Sequence, residues 1–304
     1  MDRKALKIAI LGAGRLGGAL HKALSRSGFS SSLSSRPKSP QAVRNTREAL
    51  SAADIAFLCV PDAQIAATAA QYADAFHAGQ TVAHCAGALT LEVLASAAAH
   101  GAAIGSMHPL CAIASPETSF VGIHAAIAGA DAPRELLRQL ARAIGLTPFE
   151  VGDVDRARYH AAAALAANGL MALAAQTSAL FASCGIDPRQ ALGAILPLMR
   201  SAVVALDQKG LPGALTGPSA RGDVEVVEGH LAALRRPGDE ALRATYIDLS
   251  RTLTRLSAQL GAATPEAIRA IDAALAAPAP ASAVPLPIAT PADAGAAPSA
   301  REAS

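Results

Sequence analysis

Two histidines, His84 and His108, each close a short apolar run, in Gln80-Thr-Val-Ala-His84 and Ile104-Gly-Ser-Met-His108-Pro109. Imidazole is the side chain best suited to exchanging a proton near neutral pH, as carbonyl reduction requires beside hydride delivery. A histidine so placed also serves as a satisfied structural residue, and both readings stay open. Asn168 lies inside an uncharged, alanine-rich stretch where an amide has no propensity reason to be. If buried there, it needs partners in the core or on a ligand. Thr216-Gly-Pro-Ser-Ala-Arg-Gly-Asp223 brings Arg221 and Asp223 to a helix start. Arg221 either grips a carboxylate bidentately or pairs locally with Asp223. His160 precedes Asn168 by eight residues, about 12 Å along a helix, so the two cannot grip one substrate atom together.

A second set of residues is suited to phosphate. Gly12-Ala13-Gly14-Arg15-Leu16-Gly17 has the spacing G-x-G-x-x-G, directly after the apolar run Ile8–Leu11 and before a helical pattern through Leu20 and Leu24. In that strand-to-helix context the first glycine makes the tight turn and the second lets the backbone approach a pyrophosphate. The third lets the helix pack close to the sheet. The helix start then offers free N–H groups and the positive end of its dipole. A dinucleotide-binding turn is the expectation. An NAD-preferring fold carries an acid about 20 residues past the glycines, on the ribose 2′-OH. Here no acidic residue occurs between Asp2 and Glu48, and the second strand ends Ser34-Ser35-Arg36. Hydroxyls beside a guanidinium suit a 2′-phosphate, so NADP is expected rather than NAD. The bland alternative is a solvated basic loop after an edge strand.

The elements that must position these groups alternate strand and helix. Asp54–Asp62 reads as a buried strand ending in a proline turn at Pro61, and Val60 and Pro61 should lie beside the cofactor. His84 with Gly87, and His108, sit at further strand ends, where ligands of open α/β sheets bind. Strands over 123–129 and 146–151 flank a helix over 133–144. From about residue 155 the pattern is all-helical. Asp187 with Pro188 starts one helix, which Pro197 should kink, and Asp239 caps another that Gly261 ends. The uncharged stretch Ala161–Ile186 is long enough for a membrane span, but its alanines and scattered polar residues fit a helix buried in a helical domain better.

At 304 residues the chain has room for two cores. Its 26 basic and 24 acidic side chains nearly balance, so nothing marks a nucleic-acid or membrane-surface partner. Cys59, Cys85, Cys111 and Cys184 show no metal-ligand spacing; buried reduced thiols, no metal and a cytoplasmic location are expected. The first strand follows the N-terminus at once, and no signal peptide is expected. The expected domains are residues 1–152, 153–275 and a disordered Ala/Pro-rich tail, 276–304.

The glycine motif, Val60-Pro61-Asp62, His84 with Gly87, His108-Pro109-Leu110, the segment His160 to Asn168, the Thr216–Asp223 signature and His230-Leu231 together resemble a known family. It pairs a Rossmann-like domain with the helical domain of unknown function numbered 2520, over about residues 5–260. The resemblance implies an α/β fold, with an N-terminal Rossmann dinucleotide-binding domain followed by an all-α domain. That second domain would be like the C-terminal domain of 6-phosphogluconate dehydrogenase. It also implies kinship with β-hydroxyacid dehydrogenases, and dimerisation through the helical domain. Some members are taken to be alternative ketopantoate reductases. The implied activity is NADPH-dependent reduction of a small 2-oxo acid, ketopantoate being the best single name. His108 would donate the proton (a similar His-Pro motif in prephenate dehydrogenases lies at the substrate). Asn168 would orient the carbonyl, Arg221 would hold the carboxylate, and His84 or His160 would stand behind His108. The catalytic lysine of β-hydroxyacid enzymes falls here on Ala164, and no lysine occurs between Lys38 and Lys209. Reduction of an imine or a prephenate-like ring, or a non-catalytic NADP-binding module, are the alternatives.

Overall fold

The computed structural model describes residues 5–276. Its contacts divide the chain into two compact units, one running to Gly169 and the other from Leu170. Of the tail expected over 276–304, residues 277–304 lie outside the described residues.

The first unit is built on a seven-stranded sheet: β1 (Lys7–Leu11), β2 (Ser30–Ser34), β3 (Ile55–Leu58), β4 (Thr81–His84), β5 (Ala103–Pro109), β6 (His124–Gly129) and β7 (Thr147–Glu150). The order is β2-β1-β3-β4-β5-β6-β7; only the β5–β6 pairing is antiparallel. Helices α1 (Arg15–Arg26), α2 (Pro40–Ser51), α3 (Ile65–Gln71), α4 (Ala95–Ala99) and α5 (Asp131–Ala143) connect the strands. Alternation along β1 sends Ile8 and Ile10 into one core, with Leu20, Leu24, Phe57 and Met107. Ala9 and Leu11 enter the other, with Leu50, Leu58, Ile65 and Val82. Burial on both faces explains why β1 and β3 read as unbroken apolar runs. Strands β1, β3, β4 and β5 are parallel in register, so Leu11, Leu58, His84 and Pro109 finish at one edge. The order reverses between β1 and β3, which opens a crevice at that edge.

Helix α6 (Arg156–Ser183) starts in the first unit and ends in the second. The second unit continues with α7 (Pro188–Ala214), α8 (Pro218–Arg221), α9 (Val224–Ala233), α10 (Glu240–Leu260) and α11 (Pro265–Leu275). Asp187 caps α7 by accepting from Arg189 N and Gln190 N, as expected. Asp239 precedes α10 without such a side-chain bond. The break in α7 falls at Gly210 (φ 66°, ψ 177°) rather than at Pro197, because only a residue without Cβ takes that backbone conformation cheaply. Val227, Leu231, Ile247, Ile271 and Leu275 form a small core.

The expectation of a buried alanine-rich helix is corrected. Within α6 only Arg156 is buried, and Leu165, Leu170 and Met171 are exposed. On α7, Leu192, Leu198, Val203 and Val204 are exposed too. Asp153–Ser183 and Pro188–Leu211 are each long and apolar enough to cross a membrane, by length and composition alone. Small side chains leave these helices no thick core to build within one chain. The four cysteines are free, but only Cys85 is buried; Cys184 is exposed, and Cys59 and Cys111 lie between.

Candidate active site

The crevice at the sheet edge holds a groove of about 1020 Å³, walled by Gly12, Ala13, Gly14, Arg15 and Leu16 on one side. Ser35, Arg36 and Pro37 stand at one end, and Val60, Pro61 and Gln64 across from them. Gly12 has φ 118°, and a Cβ there would stand 2.5 Å from the Cys59 carbonyl oxygen. A Cβ on Gly17 would overlap the Gly12 carbonyl. Gly17 therefore lets α1 close onto the turn and does not line the groove. Gly14, by contrast, has open space where its Cβ would be. The first turn of α1 carries neither a side-chain cap nor an acid, so its N–H groups face the groove unmet. Two arginines and no carboxylate line it. The wall fits a polyphosphate.

A second cavity, about 510 Å³, adjoins the first: Cys111 lines both. Its polar lining is His108, Tyr159, His160 and Asn168; alanines of α6 form much of the rest. His108 Nδ1 lies 2.8 Å from the Tyr159 hydroxyl, and its ring meets His160 edge-on at 6.0 Å. Burial, then the neighbouring His160 and the Arg156 guanidinium, push His108 down to about 4. At neutral pH it is an uncharged imidazole. With the Tyr159 hydroxyl donating to Nδ1, the ring carries its proton on Nε2. Burial keeps the Tyr159 phenol above its usual range, hence protonated. Asn168 is exposed rather than buried, and it lines the same cavity as His160 from two turns further along α6.

Three expected assignments change. Gly87 does not line the first groove; a Cβ there would stand 2.5 Å from His160 Cδ2 and 2.9 Å from His108 Cε1. Its missing side chain makes room for the two imidazoles. His84 is fully buried, lines neither cavity, and accepts from Ala86 N at Nδ1. It stabilises the turn after β4 and has no path to a substrate. Arg221, its side chain 61% exposed, donates to Asp223 Oδ2 from Nε and Nη2, which is the local pairing. It lines neither cavity.

Two residues that the sequence reading passed over matter here. Tyr159 is the hydrogen-bond partner of His108, and Arg156 is wholly buried behind the pair. Tyr159 is one of three tyrosines in the chain and directly precedes His160, the one available signal. Arg156 carries no comparable signal in the sequence.

His84 gives a pH signature. Burial, then Arg156, lower it to about 4, whereas an unfolded histidine titrates near 6.5. His108 behaves alike. As pH falls the unfolded chain binds these protons first, so stability should decline from about pH 6.5 to about 4 and level off below. For His84 alone the limit is about 3 kcal/mol. Urea unfolding across this range should show the decline, and His84→Gln should remove roughly half of it. A flat profile in the parent protein rules the effect out.

Residues 1–109 match the model of a Rossmann-like domain, and residues 123–253 match the model described as Domain of unknown function (DUF2520). The expected parallel-dominated first domain, followed in sequence by a helical one, is thereby borne out. No curated protein matches the chain. Among solved structures, the chain is similar to a Bacteroides fragilis protein described as an NADP oxidoreductase. Identity is 22% and the TM-score 0.63, over 82% of this chain and 97% of that one. A Thermotoga maritima protein is 21% identical with a TM-score of 0.66, over 83% and 98%. A reductive aminase from Aspergillus terreus, in complex with NADPH and ethyl levulinate, is 17% identical with a TM-score of 0.53, over 89% and 92%. At these identities the likeness is one of fold.

Proposed function

We propose that this protein is an NADP-dependent oxidoreductase that reduces a C=O or C=N bond of a small molecule. One observation carries the reading: the acid-free groove at the glycine turn meets, at Cys111, a cavity holding an uncharged imidazole bonded to a phenol. Similar folds described with NADP or NADPH support it. Gly12 to Leu16 would hold the pyrophosphate, with Ser35 and Arg36 at the 2′-phosphate and Val60 and Pro61 toward the nicotinamide. Bound NADPH supplies a hydride.

The chain's own residues manage the proton. His108 does not act as an imidazolium, because its site disfavours the charge. Its Nε2–H donates a hydrogen bond to the substrate oxygen or nitrogen and polarises the double bond, as a neutral imidazole can. As Nε2 gives up its proton, Nδ1 takes one from the Tyr159 hydroxyl, and the half-buried phenol is reprotonated from water, since burial disfavours its phenolate. Asn168 offers an amide to a second polar group of the substrate. Within this class ketopantoate remains the specific substrate to try, on the family resemblance. The exposed apolar faces of α6 and α7 would be covered by a second copy of the chain, in a cytoplasmic homodimer.

NADPH titration followed by NADPH oxidation across a panel of oxo acids, ketones and cyclic imines tests the reading. Micromolar binding and turnover of at least one class are expected; absence of binding at millimolar NADPH defeats it. Arg36→Ala should weaken NADPH at least about tenfold and leave NADH nearly unchanged, given the strength of charge-assisted phosphate contacts. Equal loss for both carriers would remove Arg36 from the 2′-phosphate.

A further inference from the structure

A guanidinium with no exposure is costly to bury and persists only where its donors are used. Arg156 Nη1 donates to the Ala86 carbonyl at 3.2 Å, and Nη2 donates to Ser106 Oγ. Its Nε makes no hydrogen bond, and its third tie is the ion pair with Asp153 Oδ1 at 3.8 Å. Asp153 in turn accepts the Leu91 N–H, at 3.1 Å to Oδ1. One side chain thus fastens the turn after β4, the strand β5 and the first turn of α6 together.

The spacing shows what this fastening controls. Ser106 and His108 are two apart on β5, so they share a strand face. Arg156 lies three and four residues before Tyr159 and His160, so these share a helix face. The Arg156–Ser106 contact is therefore one rung beneath the Tyr159–His108 contact, between the same two elements. Gly87, next to Ala86, is the point at which both imidazoles lie against the β4 turn.

We propose that Arg156 is the positioning residue of this site: its three-way fastening sets the distance from α6 to β5 and so aligns Tyr159 with His108. It touches neither cavity. Its charge also lowers the proton affinity of His108, beside burial and His160. The titratable groups facing His108 are Tyr159, His160 and Arg156 from α6 and His84 from β4. This role in catalysis rests on the proposed reductase reading, but the alignment itself does not, and the test separates the two.

Arg156→Met, Arg156→Lys and Ser106→Ala are compared with the parent in the full chain, by histidine NMR titration, NADPH titration and turnover. In Arg156→Met the His108 midpoint should rise above about 4, with burial and His160 still holding it below the ordinary range, and turnover should fall at least about tenfold with NADPH affinity within about twofold. Arg156→Lys keeps the charge without the fork, so the midpoint should stay low and turnover should recover only in part. Ser106→Ala loses one anchor and should shift the midpoint less, in the same direction; it reports even if Arg156→Met fails to fold. A His108 midpoint unmoved in Ser106→Ala and in folded Arg156→Met overturns the proposal. Absent NADPH binding by the parent would overturn the reductase reading instead, and the titration would still decide the role of Arg156.

Discussion

His108→Ala is expected to lower turnover about a hundredfold while NADPH affinity stays within about twofold. The two halves of this expectation have separate causes. His108 lines the cavity of about 510 Å³ and not the groove that would hold the dinucleotide. Removing its ring takes away the group that would pass a proton from the Tyr159 hydroxyl to the substrate, and positioned acid–base groups typically contribute 10² to 10⁴ in rate. Tyr159→Phe should cost less, about tenfold, because Nε2–H still polarises the substrate while its proton must be replaced from water. Nearly equal turnover in the parent and in both variants would take the proton role away from this pair. A Tyr159→Phe loss larger than that of His108→Ala would instead make the phenol the direct donor.

How much of this was legible before folding depends on the range of the cause. The glycine turn is a local device: Gly12 and Gly17 are fixed by the geometry of one strand-to-helix junction, and the structure places these two as their spacing implied. Ser35 and Arg36 follow from the end of the next strand. His108 was legible as a strand-end residue, but its state was not. That state depends on Arg156 and His160, some 50 residues further on. His84 looked equivalent to His108 in sequence, each closing an apolar run. The difference is register: His84 pairs with Ser106, so His108 lies two residues further along β5 and reaches the cavity, while His84 stays sealed beneath the turn. Gly87 was misassigned for a related reason: the side chains that need its missing Cβ come from β5 and α6, and no spacing in the chain shows them converging. Arg221 met its partner two residues away, a pairing the sequence offered beside the other. The α6 stretch failed differently, since hydrophobicity reveals that a face needs covering and not whether the same chain covers it.

The largest effect on the dinucleotide groove is expected from Gly17→Ala, and its contrast with Gly14→Ala makes the result interpretable. A methyl on residue 17 overlaps the Gly12 carbonyl and comes within 3.3 Å of the Cys59 Cβ. The atom it strikes is backbone held in the turn by Gly12 N donating to the Ser34 carbonyl at 2.8 Å, so relief requires prising α1 from β1. Overpacking of this kind costs about 1–3 kcal/mol or more, a fall of several degrees in Tm for a chain of this size. NADPH binding should drop at least about a hundredfold, because the N–H groups of α1 leave their alignment with the groove. Gly14→Ala meets no atom within 4 Å and sits at φ −75°, open to any residue, so Tm should hardly move. Its methyl nevertheless projects where a pyrophosphate must approach the helix start, and NADPH affinity should fall about tenfold or more. Loss of affinity at unchanged stability in Gly14→Ala would mark direct contact with the phosphates, whereas full affinity there would move them off the helix start and leave Gly17 a purely structural residue.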